Sequence, residues 1–137
     1  MTEINKERVQ LWVDALRSGE YRQTRGYLTV QHIVDDETVT EHCCLGVACE
    51  VAISNGLELS RNSDETTVTY GGHEEDQHLP IEVQQWLGLS GMDPEVTRET
   101  ANGFESTELT ACNDTHLMSF SDIADAIEAT YLQKEQQ

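Results

Sequence analysis

A chain of 137 residues is long enough to bury a core and short enough to form a single domain. Its apolar share is 37%, and no stretch approaches the ~18 consecutive apolar residues of a membrane-spanning helix. With 26 acidic residues against 8 basic ones, a net charge of -18 and no basic stripe, no direct binding to DNA or RNA is expected.

The first seven residues are polar and mixed in charge, without the apolar centre of a signal peptide, so a cytoplasmic setting is expected. Four cysteines in a reducing compartment are then free thiols or metal ligands. Val9, Trp12, Val13 and Leu16 follow the spacing of one buried helical face, and Ser18-Gly19 ends that helix. Arg8, Arg17, Arg22 and Arg25 form the one locally basic segment. They are ordinary ion-pair partners or, as Arg17, Arg22 and Arg25, a site for an anion or an acidic patch of a partner.

Tyr27 to Val34 reads as a strand, Asp35-Asp36 as a turn, and Glu37 to Thr40 as a short return strand. Thr40 is then expected to cap a helix running to Ser54, stopped by Asn55-Gly56. Leu57 and Leu59 suggest another strand, Arg61 to Asp64 a turn, and Thr66 to Tyr70 a return strand. Gly71 to Gln77 reads as a mobile acidic loop.

Pro80 suits a helix start, with Val83, Trp86 and Leu87 as the apolar stripe and Gly88 as the stop. Residues 90 to 106 carry little pattern and predict one short helix after Asp93-Pro94 or a surface loop. Leu109 to Cys112 reads as a short helix closed by Asn113-Asp114. Ser119 caps the last helix, with Met118 and Ile123 at the staple positions and Ile123, Ala126, Ile127 and Tyr131 facing the core.

His42-Cys43-Cys44-Leu45-Gly46-Val47-Ala48-Cys49 is the most informative stretch, marking either a site of chemistry or an unusually tight piece of core. Cys44, Cys49, Cys112 and His116 have spacings seen in zinc sites, but residues five apart on a helix diverge by about 140°. A nucleophilic Cys43 or Cys44 with His42 as base meets a similar objection, and surrounding acids disfavour a thiolate. The reading preferred here is core: small, easily buried side chains, with Gly46 marking a steric need. His73, Glu74, Glu75, Asp76 and His78 match no calcium loop and read as solvated. No metal and no cofactor is expected.

Several segments together resemble small uncharacterised proteins of tailed viruses, prophages and some of their microbial hosts. They are Trp12 to Tyr21 with Gln23 and Gly26-Tyr27-Leu28, the Cys43 to Cys49 segment, and Leu79-Pro80 with Trp86 to Leu89. Leu109 to Asp114 and Ser119-Phe120 with Ile123-Ala124-Asp125 complete the match. The double-cysteine segment is the most specific piece, and the resemblance carries over no catalytic residue. The heavy acid load and scarcity of lysine suit a salt-accumulating host, where screening removes self-repulsion.

The expected fold is α+β: about three main helices around the cysteine helix, with a small antiparallel sheet or two short hairpins. The expected function is a non-catalytic accessory protein of viral or proviral origin, binding a host or viral protein. The alternatives are a small-molecule binder or enzyme with a pocket at the Cys43/Cys44 helix, and an acidic DNA mimic. Arg17, Arg22, Arg25, His42, Cys43 and Cys44 are the candidate binding residues.

Overall fold

The structure, a computed structural model, describes residues 4–64, 66–71, 78–89 and 91–132. Among these residues it is an α+β fold of five helices, a mixed five-stranded sheet and a separate two-stranded hairpin.

Helix α1 (Lys6–Arg17) buries Val9, Trp12, Val13 and Leu16, as its periodicity requires. Asn5 caps it by accepting the Arg8 amide at 3.1 Å, and Gly19 follows its end with φ of +80°. Strand β1 (Arg22–Gln23) is short. Strands β2 (Thr29–Val34) and β3 (Glu37–His42) form a hairpin closed by Asp35 and Asp36, both at positive φ, the geometry of a two-residue turn. Helix α2 (Cys44–Ser54) follows, then the hairpin of β4 (Arg61–Asp64) and β5 (Thr67–Tyr70). The sheet order is β1-β3-β2-β5-β4, antiparallel except for the parallel β1–β3 edge.

Helix α3 (Ile81–Leu87) starts on Pro80 and ends at Gly88, which is left-handed. Strands β6 (Glu95–Thr100) and β7 (Gly103–Glu108) pair with each other. Helices α4 (Leu109–Asp114) and α5 (Phe120–Ile127) follow, with a π turn over Glu128–Leu132. Ser119 caps α5 by accepting the Asp122 amide at 3.1 Å.

Helix α2 is the hub. Cys44 through Cys49 are buried in sequence, along with Val51 and Ala52, so it is wrapped on nearly every side. Helices α1, α3 and α4 pack on it from one side and the sheet from the other. The buried indole of Trp12 donates to the Cys44 carbonyl at 2.9 Å, tying α1 to the first turn of α2. Gly46 meets its predicted steric need. A β-carbon there would lie 1.9 Å from the Leu28 carbonyl oxygen and 2.9 Å from Thr29 Oγ1. Helix and sheet approach so closely only because this side chain is missing.

The structure corrects several sequence expectations. Thr40 does not cap a helix: β3 runs on to His42, and Cys43 is the N-cap of α2. Strand β2 supplies a partner along that whole length, ending in the Thr29–His42 pair, and the Cys43 amide donates to the Leu28 carbonyl at 2.9 Å. Leu57 and Leu59 form no strand but pack half-buried against the core, and Arg61 to Asp64 is strand β4 rather than a turn. Its polar residues carry no strand propensity; pairing from Arg61–Tyr70 to Asp64–Thr67 decides the conformation.

No helix follows Asp93-Pro94. The β6–β7 hairpin occupies that region, anchored by buried Val96, by the Thr97 amide on Thr130 Oγ1 at 2.9 Å, and by the Tyr131 hydroxyl on the Glu95 carbonyl. Helix α4 continues through Asn113 and Asp114, which do not break it. The acidic loop expected at Gly71 to Gln77, with His73, Glu74, Glu75 and Asp76, falls on residues 72–77, outside the described residues.

Candidate functional site

The hairpin register decides where a site can form. Thr29 stands opposite both His42 and Val68, Gln31 opposite Thr40, and Arg61 opposite Tyr70. Side chains alternate along strands and pair across them, so Thr29, Gln31, Thr40, His42, Val68, Tyr70, Arg61 and Ser63 share one sheet face. That is the face on which α2 packs. Helix α2 covers its Thr29–His42–Tyr70 end and leaves the rest open, forming a cleft of about 270 Å³ bordered by Glu50 of α2.

An unbroken chain of hydrogen bonds lines this cleft. His42 Nδ1 is 2.8 Å from Thr29 Oγ1, and Thr29 Oγ1 is 2.7 Å from the Tyr70 hydroxyl. The Tyr70 hydroxyl donates to Glu50 Oε2 at 2.7 Å. Arg61 then grips Glu50 with two bonds, Nε to Oε2 at 2.9 Å and Nη2 to Oε1 at 2.5 Å. Tyr21 stands edge-on to the His42 ring, with centroids 5.3 Å apart.

Burial would raise the Glu50 carboxyl, but the Arg61 and Tyr70 hydrogen bonds outweigh it and hold the group below the usual carboxylate range. His42 is lowered by burial, partly offset by the nearby Glu50 charge, so its ring is neutral near pH 7. Tyr70 is raised by burial and by Glu50.

The thiols behave differently. Cys43 sits where a helix N-terminus would favour a thiolate, yet burial dominates and pushes it up to about 12. Burial also raises Cys44 and Cys49 well above the ordinary thiol value and Cys112 to about 11. Cys44 Sγ donates to the Leu109 carbonyl at 3.7 Å inside the core. These are packing groups in a dry interior. Among the described residues, no three His, Cys, Asp or Glu side chains converge as a metal site would require.

The arginines do not assemble into one site. Arg17 bonds Asp125 at 2.6 Å and Glu128 at 3.1 Å beside α5. Arg25 donates to the Asn113 carbonyl at 3.1 Å, and Arg22 is exposed on β1. Of the six residues singled out from sequence, His42 alone lines the cleft. Thr29, Glu50, Arg61 and Tyr70 carried no local signal, because strand pairing and the helix crossing bring them together. A larger hollow of about 460 Å³ lies between β6–β7 and α5. It is bordered by exposed Phe104, Asp122 and Asp125 and, among the described residues, has no comparable buried polar network, so the α2–sheet cleft is the better site.

A protein-family model, Domain of unknown function (DUF8296), matches residues 4–131. The chain belongs to that family. No curated protein and no solved structure matches it. Among the described residues, no helix is long and apolar enough to cross a membrane.

Proposed function

We propose that this is a non-catalytic accessory protein that docks on another protein through the open face of its five-stranded sheet. One observation carries the reading. The β2–β3 hairpin runs out past α2, and Ile33, on the same face as the cleft, is 75% exposed. The cleft itself, at about 270 Å³, falls just below the ~300–1,000 Å³ range of small-molecule pockets. It suits a single side chain presented by a partner whose apolar surface covers Ile33.

A viral or proviral origin rests on the Cys-Cys-Leu-Gly-Val-x-Cys resemblance. Adaptation to high salt rests on the net charge of -18 and on having only Lys6 and Lys134 as lysines.

The test places a photo-crosslinking amino acid at position 33 or at position 32, which points to the opposite sheet face. The expected result, in host cells or lysate at working salt, is one dominant protein adduct from position 33 and none from position 32. Equal labelling from both positions, or an adduct only at twice the chain's own mass, overturns the proposal.

A further inference from the structure

The hydrogen-bond chain has a direction, and that direction fixes what the cleft can bind. Glu50, gripped by Arg61 through both oxygens, is a carboxylate and can only accept. The Tyr70 hydroxyl has one proton, and its 2.7 Å contact with Glu50 Oε2 uses it. Tyr70 must therefore accept at its 2.7 Å contact with Thr29, which spends the single Thr29 hydroxyl proton. Thr29 Oγ1 must in turn accept from His42 across 2.8 Å. That bond requires the imidazole proton on Nδ1 and leaves Nε2 with a bare lone pair.

Reversing any link leaves two lone pairs facing each other somewhere in the chain. The alternative tautomer, with the proton on Nε2, would need Thr29 to donate to both Tyr70 and His42, which one hydroxyl cannot do. Nε2 makes no hydrogen bond among the described residues, and His42 borders the cleft. Arg61, about half exposed, supplies the opposite polarity: Nε and Nη2 hold Glu50, and Nη1 makes no hydrogen bond among the described residues. The cleft thus offers an acceptor from β3 and a donor from β4. Among the described residues, its one full positive charge is already balanced by Glu50, and Thr40, Gln31 and Ser63 between them are uncharged.

We infer that the cleft is a recognition site for an uncharged carboxamide, an Asn or Gln side chain of the docking partner, whose NH2 donates to His42 Nε2 while its carbonyl oxygen accepts from Arg61. Glu50, Thr29 and Tyr70 are positioning residues: they act by holding the His42 proton on Nδ1. A carboxylate would meet the Nε2 lone pair, and an ammonium would meet the Arg61 guanidinium. The identity of the occupant rests on the docking reading above; the tautomer does not.

Ring-nitrogen NMR of the full chain at high salt tests the inference directly. The expected spectrum shows His42 protonated at Nδ1, opposite to the preference of a free histidine side chain in water. Thr29→Ser keeps the relay and the tautomer, whereas Tyr70→Phe frees the Thr29 proton for Nδ1 and moves the imidazole proton to Nε2. Titration with N-acetylglutamine amide should shift His42 Nε2 in the native protein. Tyr70→Phe should weaken that binding about fivefold or more, the loss of one hydrogen bond. N-acetyllysine amide and N-acetylglutamate amide should bind less well. A native His42 protonated at Nε2 overturns the inference whether or not a partner is ever captured. Tighter binding of the lysine or glutamate probe overturns the ligand class.

Discussion

Replacing Gly46 with alanine tests the contact on which both core and cleft depend. In an unconstrained helix interior the change would stabilise by about 1 kcal/mol. Here the new β-carbon would lie 1.9 Å from the Leu28 carbonyl oxygen, so helix and strand must separate by roughly 1 Å even to reach a tight contact. The obstacle is backbone, and it cannot rotate aside. That same carbonyl accepts the Cys43 amide at 2.9 Å, so its retreat also loosens the α2 N-cap. Overpacking of this kind costs about 1–3 kcal/mol, and a backbone collision belongs at the upper end. The net expectation for Gly46→Ala is a loss of about 2 kcal/mol, or roughly 8 °C in melting temperature for a domain of this size. Urea unfolding in molar salt, followed by fluorescence of buried Trp12 and Trp86, measures it. Thr29 adjoins Leu28, so the variant should also disturb the His42–Thr29 bond. A variant as stable as the parent, or more stable, would refute the close-approach argument.

Other outcomes follow from the same structure. Asn113 is fully buried in α4; its amide donates to the Thr24 carbonyl at 2.7 Å and its oxygen accepts from Gln23 at 2.8 Å. Asn113→Ala strands those partners and should lower unfolding free energy by about 3 kcal/mol, read by denaturant titration. His42 has a lowered pKa because burial disfavours its charged form, so the unfolded chain takes up a proton that the native one refuses. Stability should therefore fall as pH drops through about 6.5, the unfolded value, and level off once the native ring protonates. His42→Gln should remove that part of the slope, and an unchanged profile would contradict the assignment. All four thiols should be silent toward an aromatic disulfide reagent at pH 8 until the chain unfolds. Rapid labelling of Cys43 in native buffer would contradict its burial.

Helices with a clean apolar stripe and a proper cap were legible in the sequence. Val9, Trp12, Val13 and Leu16 face the core, and Ser119 and Gly88 stand at helix ends as their chemistry dictates. The cysteine segment was legible as core for a different reason: its residues are small and easily buried. What failed was set by long-range pairing. His42 looked like the start of a helix because Thr40 is a good cap, and nothing local shows that β2 extends the strand to residue 42. Arg61 to Asp64 is a strand only because β5 lies beside it. The weakly apolar β6–β7 hairpin was missed because it buries little more than Val96. The cleft inherits these failures, since Thr29, His42, Glu50, Arg61 and Tyr70 come from four strands and helix α2 through registers that periodicity does not encode.

The proposed division of labour, with cysteines holding the core and the sheet face contacting a partner, is tested most directly by comparing partner retention with melting temperature in two variants. Cys44→Ser places a hydroxyl in the dry centre and should lower stability by about 1–2 kcal/mol while the folded fraction keeps its partner. Ile33→Asp changes an exposed side chain and should leave stability within about 0.5 kcal/mol while abolishing retention. The reverse pattern, a stable Cys44→Ser that loses its partner beside an Ile33→Asp that keeps it, would contradict the account and return function to the thiols.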